Sequence, residues 1–321
     1  MYLKLPTFHH EPLLETFLKA KYTYQKVKGY YTIHFTDFEA LIYELSAQFN
    51  EVERKDITVF PFNSENGLTF EALDAVKSLS EWMIFLESKS LRYIIKNRSL
   101  VIKFQPIYHE DMHILGYEAL MRGIDENNQI ISPDILFAQA KQADLLFNLD
   151  QICRQEAVKS FALKKLEGKL FINFLPTAIY DPKKCLQSTD EYVNFYNIDP
   201  STIVFEVVET ELIKDFKHLK SILDHYKASG YLIALDDVGS GYSNFETITN
   251  LQPNIIKIDA TITRDIHKNK VKQSLMESYI KIAKSQNIKV LVEDVETKEA
   301  LMFLKDYHID YLQGYYLHRP F

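Results

Sequence analysis

The sequence predicts a (β/α)8 barrel of the TIM type preceded by a small α+β module. Three observations carry this prediction. Beyond about residue 97, strand-like apolar runs alternate with helical stretches. The runs are continuous in Val, Ile, Leu and Phe, as strands buried on both faces are. They also end, again and again, on a carboxylate, an amide or a lysine. The clearest are Phe171-Ile-Asn173, Ile203-Val-Phe-Glu206, Leu232-Ile-Ala-Leu-Asp236-Asp237, Ile255-Ile-Lys257-Ile-Asp259 and Val290-Leu-Val-Glu293. A buried strand has no packing reason to finish on a charge. When such endings recur at intervals of roughly twenty to fifty-odd residues, they describe one rim of a barrel, where side chains converge on a shared site.

Taken in order, residues 1–97 are rich in aromatics, as in Tyr22-Thr-Tyr and Tyr30-Tyr-Thr-Ile-His-Phe. A helix is expected over 37–49 and a strand at Ile57-Thr-Val-Phe-Pro-Phe. His9-His10 reads as a solvated tail, because adjacent residues on an irregular segment diverge. From Leu79 to Ile95 apolar residues recur at helical spacing, so one joining helix is expected over about 78–97. Strands follow at Val101–Ile107 and Ile114–Leu120, then helices over Ile135–Ala143 and Gln151–Leu166. The Phe171 and Phe205 strands, a helix over Glu211–Ser229, and the Leu232 and Ile255 strands come next. A helix over Val271–Gln286, the Val290 strand, a helix over Lys298–Lys305 and Tyr311-Leu-Gln313 complete the barrel, placed at 98–321. No Gly-x-Gly-x-x-Gly turn follows the first strand, which argues against a dinucleotide-binding sheet.

Composition fits this plan. The 321 residues have room for one barrel of about 250 residues and a small extra module. With 37 basic and 44 acidic residues the formal charge is −7, which opposes nonspecific binding to a nucleic-acid polymer or an anionic membrane. Cys153 and Cys185 lack metal-ligand or redox spacing and read as reduced thiols. No signal-peptide pattern and no apolar run of about 18 residues occurs. The expectation is a cytoplasmic protein without a membrane span.

Glu118, Glu206, Asp236, Asp237 and Glu293 would meet at the barrel mouth. Two like charges ~4 Å apart repel by about 4 kcal/mol at an effective dielectric of ~20, so the cluster must take up protons or cations. All-oxygen ligands, with the Asn173 carbonyl among them and no Cys or obvious His, select Mg²⁺ or Mn²⁺ over Zn²⁺. Two such ions would activate a water and brace an in-line phosphodiester displacement.

The motifs also have a familiar order. Gln105-Pro-Ile and Tyr117-Glu118-Ala119-Leu120-Met-Arg122 precede Asn173 and Phe205-Glu206-Val-Val-Glu209. Leu235-Asp236-Asp237-Val-Gly239-Ser-Gly241-Tyr242-Ser243, Ile256-Lys257-Ile-Asp259, Val292-Glu293-Asp-Val-Glu296-Thr and Gln313-Gly314-Tyr follow. Over about residues 100–321 this resembles the EAL family of cyclic-di-GMP phosphodiesterases. Phe171-Ile-Asn173-Phe-Leu-Pro176 further resembles members fused to sensory modules, although residues 1–97 do not resemble their flavin-binding sensor.

The resemblance implies that Glu118, Asn173, Glu206 and Asp236 hold a first ion, and that Asp236 bridges to a second held by Asp237 and Glu293. Glu293 is implied as ligand or general base, and both roles stay open. Lys257 would contact the attacking water, Arg122 a substrate phosphate, and Gln105, Asp259 and Gln313 would give further polar contacts. Glu209 and Glu296 would anchor the Asp236–Asn244 loop, and a homodimer would form through that loop and the helix Phe245–Leu251. The chain departs from the family pattern at Val208 (for Thr), Val238 (for Phe) and Asp294 (for Gly). None of these removes a ligand, so activity is expected to survive.

Three functions fit. One is hydrolysis of cyclic-di-GMP to linear pGpG, and another is a catalytically quiet cyclic-di-GMP receptor. The last is a metal-dependent barrel hydrolase of another phosphodiester. Retention of Glu118, Lys257 and Glu293 together favours turnover over a receptor.

Overall fold

The computed structural model describes residues 2–4, 11–27, 30–60, 76–176, 182–208, 216–240 and 245–321. The chain divides into two compact units, Met1–Arg92 with Ala138–Ala143, and Tyr93–Phe137 with Asp144–Phe321. His9-His10, Glu209 and Gly241–Asn244 lie outside the described residues.

Among the described residues the first unit has five strands, β1 (Tyr2–Lys4), β2 (Thr23–Val27), β3 (Tyr30–His34), β4 (Thr58–Phe60) and β5 (Lys77–Ser78). They form an antiparallel sheet in the order β2-β3-β1-β4-β5. The helix Glu11–Lys21 connects β1 to β2, and the helices Phe38–Ser46 and Glu51–Asp56 connect β3 to β4. Leu14, Leu18, Leu41, Ile42 and Leu45 from the helices bury against Tyr31, Ile33 and Val59 of the sheet. Trp82 closes this core and donates its indole N–H to the Val59 carbonyl (3.3 Å). The single joining helix expected over 78–97 is instead two helices, Leu79–Glu87 and Lys89–Asn97. Ser78 caps the first through a reciprocal pair with Glu81, and the helix ends at Ser88. There the Arg92 guanidinium donates to the Ser88 hydroxyl (2.6 Å) and stacks 3.7 Å from the Phe85 ring.

The second unit is a closed barrel of eight strands, as the sequence predicted. The strands are β6 (Leu100–His109), β7 (Ile114–Ile124), β9 (Lys169–Asn173), β10 (Ile203–Val208), β11 (Leu232–Val238), β12 (Ile255–Ile258), β13 (Lys289–Val292) and β14 (Tyr311–Leu312). A short β8 (Ile130–Ile131) pairs outside the ring with β7. One strand departs from the parallel order of the rest: β6 runs antiparallel to both β7 and β14. The cause is local. Only a short turn separates β6 from β7, too short for a crossover helix, so the two strands form a hairpin. Among the described residues no helix is long and apolar enough to cross a membrane.

Ile107, Phe171, Val204, Ala234, Ile255 and Leu291 fill one layer of the barrel interior. Inward residues repeat every second position along a strand. The next inward layer toward the C-terminal mouth is therefore Asn173, Glu206, Asp236, Lys257 and Glu293. Because β6 runs backward, its residue in that layer is Gln105 and not residue 109. This alternation, not any special turn, converges the polar strand endings.

Candidate active site

Lys257 lies at the centre of the polar layer and is 1% exposed. Its ammonium sits 2.6 Å from Glu206 Oε1, 2.9 Å from Glu293 Oε1, 3.1 Å from Asp236 Oδ1 and 3.9 Å from Glu118 Oε1. Asn173 Nδ2 donates to Glu206 Oε2 (3.1 Å) and to Glu118 Oε1 (3.3 Å), and Gln313 Nε2 donates to Glu118 Oε2 (2.8 Å). Strand register fixes these neighbours. Glu206 pairs with Asn173 across β10 and β9, and Glu118 lies opposite Gln105 on β6 and Phe171 on β9.

Carboxylates this close need a cation among them, and the Lys257 ammonium is one. A single ammonium faces four carboxylates, and it cannot neutralise all of them. Burial pushes Glu206 and Glu293 well above the usual carboxylate range, opposed by Lys257. Burial works to lower the Lys257 ammonium, yet Asp236, Glu118, Glu206 and Glu293 together carry it well above its ordinary value.

Asp237 is held differently from Asp236. Consecutive strand residues face opposite sides, but the pairing of β11 with β12 shifts register between Leu235 and Val238. Asp237 takes a left-handed φ of 58° and its N–H donates to Asp236 Oδ1 (2.9 Å). Burial, then the charges of Asp236 and Asp259, raise its carboxyl from 3.8 to about 6. Asp259 itself caps the short helix Ala260–Thr263 by accepting from the Thr261 N–H (2.8 Å). Gln105 Nε2 donates to the His318 carbonyl (3.3 Å).

These shifts set the sign of a pH effect. Where a carboxyl is raised, the folded protein binds more protons than the unfolded chain, so stability falls as pH rises from the ordinary value through the folded one. For Asp237 that window runs from 3.8 to about 6, and for Glu206 and Glu293 it extends higher. With EDTA present, the melting temperature is expected to be higher at pH 6 than at pH 8, and Mn²⁺ to narrow the gap. Equal melting temperatures at both pH values would contradict this electrostatic picture.

Arg122 is not in the ring. Its Nη1 donates to the Met121 carbonyl (2.6 Å), and it lines a cavity of about 280 Å³ with Asp134, Phe137, Asp150, Cys153 and Asn173. Asn173 thus belongs to both the cavity wall and the carboxylate ring. Asp150 was not anticipated from the sequence. Its Oδ1 accepts from the Leu175 N–H (3.0 Å) while its Oδ2 accepts from Arg154 Nε (2.9 Å). The Asp150/Arg154 spacing of one helical turn on a helix with apolar neighbours was the available signal. Cys153, beside them, is buried and its thiol is pushed up by burial.

The segment after β13 is clamped. Glu293 N–H donates to the Ile258 carbonyl (3.1 Å), Val295 N–H to Gln313 O (3.0 Å) and Tyr316 N–H to Val295 O (3.0 Å). Asp294, between the fixed residues, is left-handed with φ 52°, which explains why the family pattern has Gly there. Its side chain faces Arg264, whose Nη2 lies 3.7 Å from both Asp294 and Glu296. Gly314 packs against this segment so closely that an added Cβ would lie 2.3 Å from the Val295 N and O. Gly314→Ala is expected to cost about 1–3 kcal/mol of stability and to displace Gln313 from Glu118. Unchanged thermal melting would refute that reading of the contact.

A family model described as the EAL domain matches residues 88–320. The chain belongs to the EAL domain family. A standalone EAL protein from Vibrio cholerae O395, solved in a c-di-GMP-bound form, is 38% identical to this EAL domain protein. The two superpose with a TM-score of 0.63 over 69% of this chain and 92% of that one. A probable cyclic di-GMP phosphodiesterase, PdeA, of Escherichia coli K12 is 26% identical over 72% of this chain and 32% of its own length. The cyclic di-GMP phosphodiesterase PdeA of Borreliella burgdorferi is 25% identical over 84% of this chain and 45% of its own length. The EAL chain therefore spans less than half of these curated relatives.

The donor set of this EAL domain suits a hard divalent ion. Its side chains are carboxylates and amides at the C-terminal ends of five strands, and Gln313 Oε1 is buried without a hydrogen-bond partner. As the side chains stand, no group of three or more His, Cys, Asp or Glu among the described residues is arranged to hold a metal ion. The central ammonium accounts for this, since the carboxylates of Glu206, Asp236 and Glu293 turn toward Lys257.

Proposed function

We propose that this EAL domain is a phosphodiesterase that hydrolyses cyclic-di-GMP to linear pGpG. The observation that carries the proposal is the ring of Glu118, Asn173, Glu206, Asp236 and Glu293 about one buried lysine. The c-di-GMP-bound relative and the relatives named as phosphodiesterases support the substrate and the reaction. Glu118, Asn173, Glu206, Asp236, Asp237 and Glu293 would hold two Mg²⁺ or Mn²⁺ ions. When bound, such ions supply a water of lowered pKa and positive charge for the phosphodiester oxygens.

The protein's own residues then have separable tasks. Glu293, whose side chain is 18% exposed while Glu206 is fully buried, receives the proton of the attacking water. Burial raises its carboxyl against the pull of Lys257, so its carboxylate is a stronger base than an exposed one. Lys257 donates to that water and offsets charge that develops on the phosphoryl oxygens. Arg122 offers a planar fork to a substrate phosphate, and Gln105, Asp259 and Gln313 orient the dinucleotide. Glu296 would anchor the loop after Asp237, a role assigned also to Glu209, which lies outside the described residues. We place the enzyme in the cytoplasm as a homodimer through that loop and the helix Phe245–Leu251, which sedimentation at micromolar concentration would test.

One observation favours the receptor alternative: the ammonium of Lys257 occupies the centre toward which the carboxylates turn. A single assay separates the two. Purified protein is incubated with cyclic-di-GMP and Mg²⁺ or Mn²⁺, and products are resolved beside those of Glu118→Ala and Glu293→Gln. The expected result is pGpG from the wild type and neither variant active. Tight binding without turnover would establish the receptor, and neither binding nor turnover would reject both.

A further inference from the structure

Asp294 has no stability reason to be there. Its backbone is left-handed, a conformation that glycine adopts without strain. Its ion pair with Arg264 is loose at 3.7 Å, with the two side chains 46% and 60% exposed. An exposed pair of this kind contributes no more than the left-handed backbone costs. Stability therefore does not account for the aspartate. Its location does. Asp294 is the one residue between Glu293, hydrogen-bonded back to β12, and Val295, hydrogen-bonded at both N–H and C=O to the Gln313–Tyr316 turn.

Arg264 starts from the other side. It ends the short helix Ala260–Thr263 that follows β12, the strand that carries Lys257. Its own backbone is pinned at both groups: its N–H donates to the Ala260 carbonyl (2.8 Å), and its carbonyl accepts from Lys272 Nζ (2.6 Å). β12 with its following loop and the segment after β13 are thus joined twice by opposite charges. Lys257 meets Glu293 inside the barrel, and Arg264 meets Asp294 and Glu296 at the rim.

We propose that Arg264 and Asp294 form a positioning pair that fixes the turn after β13, and through it the placement of Glu293 against Lys257. The inference rests on the phosphodiesterase reading for its kinetic consequence, although the pairing itself does not. In this view Asp294 is the charged handle by which the β12 loop holds the residue that follows Glu293. A glycine would allow the turn but would leave it tied only through the backbone bonds of Glu293 and Val295.

The test is a double-mutant cycle with Arg264→Gln, Asp294→Asn and the combined variant, with Asp294→Gly as a backbone control. Three quantities are measured: the melting temperature, kcat and KM for cyclic-di-GMP, and the affinity for Mn²⁺ alone by electron paramagnetic resonance. Each single variant is expected to lower kcat about tenfold with KM changed less than threefold, and to weaken Mn²⁺ binding. The combined variant should lose no more than either single one, since they remove the same link. Asp294→Gly should melt no lower than the wild type while sharing the kinetic loss, which separates positioning from folding. Losses that multiply to about a hundredfold, or variants with wild-type kcat and Mn²⁺ affinity, would overturn the proposal. A wild type without turnover would end the phosphodiesterase reading, and the Mn²⁺ titrations would then decide the pair by the same non-additivity.

Discussion

Lys257→Met is expected to abolish most turnover and to lower the melting temperature by roughly 6–20 °C at pH 8. Breaking a buried charge arrangement by deleting one side costs about 3–5 kcal/mol, and a chain of this size loses roughly 2–4 °C per kcal/mol. Methionine keeps the length of the side chain and its apolar stem, so the change isolates the ammonium. Glu206, Asp236, Glu293 and Glu118 would then face one another without a cation among them. Protons would take its place, so the variant should be closest to the wild type in acid and furthest from it in alkali. Mn²⁺ should recover part of the stability but little of the rate. Loss of one preorganised donor from such a site costs about 10²- to 10³-fold in kcat. Melting curves at pH 6 and pH 8, with and without Mn²⁺, check the first part. A variant equally stable at both pH values without metal would show that the lysine does not balance the carboxylates.

Asp150→Ala is expected to be as destabilising, by a different route. Arg154 is fully buried and the Asp150 side chain is 2% exposed, and burial raises the Asp150 carboxyl against the pull of Arg154. Alanine would strip the carboxylate from a buried guanidinium, again about 3–5 kcal/mol, and would remove the acceptor of the Leu175 N–H. Leu175 lies two residues beyond Asn173, so activity should fall along with stability. The combined variant Asp150→Ala with Arg154→Leu should recover much of the stability, because an apolar pair at such a site is often neutral or better. It should not recover the activity, since Leu175 remains without its acceptor. Thermal melting of the wild type and both variants checks the first expectation and initial rates the second. A double variant less stable than Asp150→Ala would contradict this account.

The sequence made the barrel and its polar layer legible for a simple reason. A strand buried on both faces is written as a continuous apolar run, and a charge at its end stands out. Glu206, Lys257 and Glu293 could be read this way, and strand alternation then places them in one layer. The antiparallel course of β6 was not legible, because Val101–Ile107 reads the same in either direction. Nor was the break at Ser88, where apolar spacing continues across both helices and only the Arg92 guanidinium marks the interruption. The role of Lys257 as the cation of the cluster was missed for a physical reason: repulsion among carboxylates demands positive charge without saying whose. Arg264 carried no signal at all. It follows a short helix in an ordinary polar stretch, and its partners lie on the next loop of the barrel.

The way the ring closes has a consequence for synthesis. The first strand, β6, meets the last, β14, at Tyr311↔His109 and Leu312↔Tyr108, and Phe104 exchanges both backbone hydrogen bonds with Phe321. Some two hundred residues of chain separate these partners. While the ribosome is still translating that stretch, the nascent sheet carries two open edges, and edges of this kind recruit other chains. Nonsense or frameshift lesions before Tyr311 should therefore yield insoluble protein more than merely inactive protein, even where every carboxylate of the ring has already been made.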